Sequence, residues 1–145
     1  MAKTSKRQTG DLGEEVACKY LENKGFSVIE RNYLRKWGEI DIIAEKVVAG
    51  ANKLYFVEVK TVSYETIADL KQAVSRDTYR PEENVHFAKR MRLGRAIQTW
   101  ITEHKHVGDF QIDVLTVRMV PREKYAVVDF DLSSDVIGLL FSDVG

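Results

Sequence analysis

Asp41, Glu58 and Lys60 are the side chains whose types and spacing point most directly to chemistry. They lie in two apolar runs, Gly38-Glu39-Ile40-Asp41-Ile42-Ile43 and Tyr55-Phe56-Val57-Glu58-Val59-Lys60-Thr61, on either side of Ala49-Gly50-Ala51-Asn52-Lys53. Runs rich in Ile, Val, Tyr and Phe that flank a small-residue break read as two strands of a hairpin. Side chains alternate along a strand, so Glu58 and Lys60 share one face, and Asp41 lies opposite Ile40 and Ile42. A turn near Ala49 and Gly50 sets Asp41 across from Glu58, with alpha carbons about 4.5 to 5.5 Å apart. Two facing carboxylates repel, and burying them without a partner costs several kcal/mol. Lys60 is one source of positive charge, and a divalent cation held by oxygen ligands is another. The two are compatible, because Lys60 stands one pleat repeat, roughly 7 Å, beyond Glu58 and reaches past such a cation.

The elements that must position this set are legible in outline. With 145 residues, 44% of them hydrophobic and 30% charged, the chain is the size of one domain, 1–145, with an ordinary globular composition. The 22 basic residues balance the 22 acidic ones, so any nucleic-acid binding relies on a local basic patch and not on a global field. Cys18 is the only cysteine, which excludes an intrachain disulfide and a thiolate metal cluster, and a buried apolar role suits it. No apolar run approaches membrane-spanning length and the N-terminus lacks an apolar core, so the expectation is a cytoplasmic protein with no membrane contact.

Residues 1–9 read as a flexible basic tail. A helix follows from Asp11 to Lys24, ended by Gly25, with Val16, Ala17, Tyr20 and Leu21 inward and Glu14 at the edge of that face. Glu14 either leans over a sheet or stabilises the helix dipole as a first-turn acid. Phe26 to Glu30 alternates as a strand, and Gly38 suits a turn into the hairpin. Between them Arg31, Arg35 and Lys36 interleave with Tyr33 and Trp37, a mixture that fits phosphate and base contacts or an anchored surface loop. Residues 63–84 contain a short helix over Glu65 to Val74 and form a long excursion beside the hairpin, a lid or substrate-contact segment carrying Lys71 and Arg76. Pro81 opens a long helix to His104 with a core stripe of Phe87, Met91, Leu93, Ile97, Trp100 and Ile101. Lys89 and Arg92 offer further phosphate contacts from it, while Arg90 falls within the apolar arc, where a charge needs a partner. The three histidines have no metal-ligand spacing. Phe110 to Val117, with Asp113 hydrogen-bonding to a neighbouring loop, and Tyr125 to Phe130 are the last strands. The apolar run Val136 to Phe141 demands burial on this chain or on a second copy. This order gives an α/β fold, a mixed sheet of about five strands flanked by helices.

Gly13-Glu14 and Ala17 on the first helix, Gly38-Glu39-Ile40-Asp41, and Phe56-Val57-Glu58-Val59-Lys60-Thr61 together resemble the YraN-type family of the PD-(D/E)xK nuclease superfamily, small bacterial proteins similar to archaeal Holliday-junction resolvases. The resemblance covers roughly Gly10 to Val117. It implies a restriction-endonuclease-like fold and a metal-dependent DNA endonuclease, with branched or junction DNA as substrate and a homodimer as the working form. On that resemblance Asp41, Glu58 and the main-chain carbonyl of Val59 bind Mg²⁺ or Mn²⁺. Lys60 positions or deprotonates the attacking water, and Glu14 completes the acidic cluster. Val62 stands where the family usually has a basic residue, and 63–84 is longer than the family's norm. The alternative function is a nucleic-acid-binding or assembly protein of the same fold without catalytic turnover.

Overall fold

The computed structural model describes residues 5–76, 87–131 and 133–137. Its elements are α1 (Ser5–Asn23), β1 (Ser27–Arg35), β2 (Gly38–Val48), β3 (Ala51–Ser63), α2 (Ile67–Arg76), α3 (Phe87–Glu103), β4 (Phe110–Val120), a single 3₁₀ turn (Pro121–Glu123), β5 (Tyr125–Phe130) and β6 (Ser133–Ile137). The strands form one sheet in the order β1-β2-β3-β4-β5-β6, one strand more than the sequence suggests, the addition being β6. Sequential neighbours are antiparallel except at the centre. There Leu54 N–H donates to the Asp109 carbonyl and Tyr64 N–H to that of Met119. Both chains advance by ten residues between these bonds, so β3 and β4 run parallel and the sheet is mixed.

The hairpin that carries the acids is built as the sequence indicates. Val48 faces Ala51 across a two-residue turn, and Ala49 and Gly50 both adopt left-handed backbone, φ 52° and 81°. That is the type I′ pattern, whose twist matches the flanking strands.

The chain falls into two compact units. One comprises Leu21–Glu58 with α3 and the chain on to Asp113. Its core joins Tyr33, Ile40, Ile43, Leu54 and Phe56 of the strands to Ala96, Ile97 and Trp100 of α3. Phe56 meets Trp100 and Phe110 edge-on, each at 5.7 Å between centroids, the geometry aromatic quadrupoles prefer. The inward stripe of α3 runs Leu93, Ala96 and Ile97, Trp100, and one turn before Leu93 it reaches Lys89. The expected stripe is therefore rotated: Met91 is 53% exposed, Arg90 is exposed and needs no buried partner, and the side chain of Phe87 and the helix start at Pro81 lie outside the described residues.

The other unit takes the chain as far as Tyr20, then from Val59 with α2, then from Val114. Thr66 caps α2, its Oγ1 accepting from Asp69 N–H at 3.0 Å, and Leu70 lies against Val120 and Val127. On α1, Val16, Ala17 and Cys18 are buried, and Tyr20 packs edge-on against Phe130. The Tyr20 hydroxyl donates to Asp135 at 2.6 Å, and burial, with this bond, pushes the phenol well above its usual pKa.

Several boundaries differ from those expected. α1 begins at Ser5, so residues 5–9 of the supposed tail are helical, although Gly25 (φ 94°) follows its end as anticipated. β1 continues through Arg31–Arg35, which makes the supposed loop a strand joined to β2 by Lys36 and Trp37 alone. Val136 lies on β6 and is 64% exposed; residues 138–141 lie outside the described residues.

Two glycines mark where helices meet strands too closely for a side chain. A Cβ on Gly13 would sit 2.0 Å from Thr61 Oγ1, and one on Gly38 would sit 2.3 Å from the main-chain oxygen of Arg92. The φ of Gly38 is not left-handed, so its role is to admit α3 and not to form a turn. Gly38→Ala should lower stability by about 2 kcal/mol or more, because helix backbone must move. Gly13→Ala meets a side chain instead, so adding Thr61→Gly should restore part of its thermal midpoint, whereas Arg92→Gly should not rescue Gly38→Ala.

Candidate functional site

Ile42 faces Val57 as the last pair of the β2–β3 ladder, and Asp41 and Glu58 are the residues that follow it on the two strands. Both line a cleft of about 270 Å³ within the unit that contains α3. The tip of the β1–β2 hairpin, Leu34 to Glu39, forms one wall, and Lys89, Arg92 and Leu93 form the other. Glu58 is 4% exposed, and its Oε1 is ion-paired with Lys89 Nζ. The contact of Gly38 with Arg92 holds the first turns of α3 directly against the start of β2. The cleft thus holds the acids Glu39, Asp41 and Glu58 beside the cations Arg35, Lys36, Lys89 and Arg92. Such a set can bind a polyanion at its rim while keeping carboxylates at its floor.

The basic and aromatic residues of β1 do not all serve the roles expected of them. Tyr33 is 1% exposed within the core, so it cannot stack on a base. Its hydroxyl donates to Glu103 Oε1 at 2.6 Å, and Arg35 Nη2 reaches the same carboxylate at 2.9 Å while its guanidinium lies 4.0 Å from the Tyr33 ring centroid. Arg35 is therefore engaged in anchoring the hairpin to the end of α3, although it still borders the cleft. Glu30, three residues before Tyr33, also reaches α3, its Oε1 accepting from Trp100 Nε1 at 3.1 Å. Residues an odd number apart on a regular strand point to opposite faces. Asn32, with φ 53°, lies between them and breaks that alternation. Trp37 is 39% exposed and is fixed by an Nε1–H bond to Thr99 Oγ1 at 3.1 Å, so it remains an accessible ring at the cleft edge. Lys36 and Arg92 are exposed, and Arg31 is half-buried.

The remaining expected site residues belong to the other unit. Val59, Lys60 and Glu14 are half-buried there, and the close approach of Gly13 to Thr61 seats the Glu14 turn of α1 on β3. Lys71 is exposed on α2; the side chain of Arg76 and residues 77–84 of the lid segment lie outside the described residues. Asp113 accepts from Gln111 Nε2 at 2.8 Å, a partner on its own strand and not on the neighbouring loop expected for it. Among the described residues no three His, Cys, Asp or Glu side chains come together as a metal cage. Sequence reasoning missed Glu103 and Thr99, the two α3 residues that hold the hairpin tip; both lie on an exposed helix face and carry no local signal.

A mixed α/β sheet flanked by three helices, with a carboxylate pair on its second and third strands, is a nuclease-like architecture. Residues 13–117 match the family described as Uncharacterised protein family UPF0102. The chain belongs to that family, the YraN-type family, which is PD-(D/E)xK nuclease-like. It is 34% identical over 108 residues to a UPF0102 protein of Campylobacter lari, covering 74% of this chain and 81% of the relative. To a UPF0102 protein of Myxococcus xanthus it is 33% identical over 129 residues, covering 88% and 89%. A UPF0102 protein of Pelobacter propionicus is 30% identical over 127 residues, covering 87% and 81%. Among solved structures, SfsA of Pyrococcus furiosus aligns with 12% identity and a TM-score of 0.27 over 91% of this chain and 62% of that one, too low a likeness to carry an argument. Among the described residues no helix is long and apolar enough to cross a membrane.

The Tyr33–Glu103–Arg35 anchor gives a pH signature. The hydroxyl of Tyr33, and then Arg35, hold the Glu103 carboxyl below its usual range, so the anchor stabilises above about pH 4.3 and the gain is lost as pH falls through the lowered value. Burial, aided by Glu103, raises Tyr33 to about 12, so its contribution is complete below about pH 10 and is lost as pH climbs towards 12. Denaturant titrations across pH should show both flanks shallower in Tyr33→Phe, and absorbance at alkaline pH should show one fewer late-ionising tyrosine.

Proposed function

We propose that this protein is a metal-dependent endonuclease that hydrolyses phosphodiester bonds in DNA, with branched or junction DNA as the preferred substrate class. The observation that carries the reading is that Asp41 and Glu58 line one cleft together with the cations Arg35, Lys36, Lys89 and Arg92. The donor set can be tested for fit to a divalent ion. Mg²⁺ keeps several of its waters and takes one or two carboxylates together with substrate phosphate oxygens. Asp41 and Glu58 in one cleft suit that habit, while among the described residues no three acids come together as an all-protein cage. The residues fit, and Asp41, Glu58 and the main-chain carbonyl of Val59 would hold Mg²⁺ or Mn²⁺. Bound there, the ion would supply Lewis acidity towards the phosphate and a lower pKa for water.

The chain's own residues account for the rest. Arg92 and Lys36 at the rim attract the backbone phosphates, and Trp37 offers a rigid face on which an unpaired base can stack. The carboxylates orient water for in-line attack on phosphorus. Lys60, two residues beyond Glu58 on β3, orients that water or takes its proton. The P–O bond then breaks to leave a phosphate monoester and a hydroxyl. A symmetric junction with two strands to cut favours a homodimer.

The ion pair between Lys89 and Glu58 favours a second reading, a DNA-binding protein whose acids stay neutralised and do not turn over. The two are separated by incubating labelled junction, flap and duplex DNA with purified protein and Mg²⁺ or Mn²⁺. Cleavage should favour the branched substrates, and Asp41→Ala should reduce it about 100-fold or more. Salt-sensitive binding without cleavage under either metal would establish the second reading, and activity that survives Asp41→Ala would overturn the site.

A further inference from the structure

We propose that Lys89 is the resident counter-ion of Glu58, occupying in the free protein the position that a divalent cation takes at that carboxylate, and that it turns to a DNA phosphate when the cation arrives. The inference rests on the metal-site reading above and extends it to a residue outside the Asp…Glu-x-Lys pattern. Four observations support it. Glu58 is 4% exposed, too deep for an ionised carboxylate to lie without a cation, and Lys89 Nζ is ion-paired with it. The ammonium comes from the inward stripe of α3, one turn before Leu93, so the helix aims it at the cleft. Gly38 against the Arg92 main chain fixes how near that turn stands. Finally, the Lys89 side chain is 42% exposed, so the residue that pairs with buried Glu58 is itself partly open to solvent.

Charge supplies the exchange. Asp41 and Glu58 carry two negative charges, and the Lys89 ammonium supplies one positive charge where a divalent cation supplies two. A divalent ion on the same oxygens repels the ammonium at short range, and an ammonium displaced in that way can pair with a phosphate of the substrate. Lys89 is thus both a competitor of the ion and a ligand of the substrate. These two roles have opposite signs in binding experiments.

Mn²⁺ binding to the DNA-free protein can be followed calorimetrically for wild type, Lys89→Met, Lys89→Arg and Asp41→Asn. Lys89→Met should bind Mn²⁺ about tenfold tighter, a difference within the range for groups sharing one ion network. Lys89→Arg should resemble wild type, and Asp41→Asn should lose the binding. With Mn²⁺ present, Lys89→Met should bind a DNA duplex several-fold more weakly than wild type. Its metal-free thermal midpoint should fall and should recover more on adding Mn²⁺ than that of wild type, which shows that the variant folds. Equal or weaker Mn²⁺ affinity in Lys89→Met, with wild type still binding through Asp41, would overturn the role of Lys89 and leave the metal site standing. Absence of Asp41-dependent Mn²⁺ binding in every form would overturn both.

Discussion

The contact on which the candidate site depends is a backbone one: the start of β2 touches the main chain of α3, with Gly38 against the carbonyl of Arg92. No side chain larger than hydrogen fits there, so the helix and the acid-bearing strand are set at a fixed separation. The consequences run outward from that point. Residues just past Gly38 include Asp41, and residues just before Arg92 include Lys89, so one close approach determines how far acid and base can stand apart. The aromatic core of Phe56 and Trp100 holds the same helix further along its length. Its far end is tied to β1 through Glu103, Tyr33 and Arg35. The cleft is therefore shaped by three separate attachments of a single helix.

The charge distribution follows from that geometry. Equal numbers of acidic and basic residues leave no global field, yet the cleft gathers both signs within one concavity. The deepest charge is acidic, Glu58, while Lys36 and Arg92 are exposed at the rim. A neutral protein can in this way present a local attraction for phosphate without the self-repulsion that a uniformly basic surface brings.

Much of this was legible in the chain, and the exceptions have identifiable causes. The β2–β3 hairpin could be read because period-two alternation and an Ala-Gly break are local signals, and its register followed from the turn. Gly38 was recognised as special but assigned the wrong reason, since proximity to a helix fifty residues on leaves no local trace. Tyr33 falls beyond the strand that the alternation of Phe26 to Glu30 predicts, whereas β1 runs on to Arg35 and buries it. The face of α3 was misjudged because a lysine occupies a position on its inward stripe. Hydrophobic periodicity treats such a residue as outward, whereas Glu58 makes the inward position favourable. Glu14, Val59 and Lys60 were identified as a motif, and the fold seats their two segments together by way of Gly13 and Thr61.

The two compact units are interleaved along the chain, each assembled from separated segments. During synthesis on a ribosome, the unit bearing the acid pair has emerged in full once Asp113 has cleared the exit tunnel. The other waits for β4, β5 and β6, which come last. Domains ordinarily complete from the N-terminus as they appear. Here α1 leaves first and meets β3, through Gly13 and Thr61, when less than half of the chain has been made, whereas the partners of Tyr20, Phe130 and Asp135, come near the end.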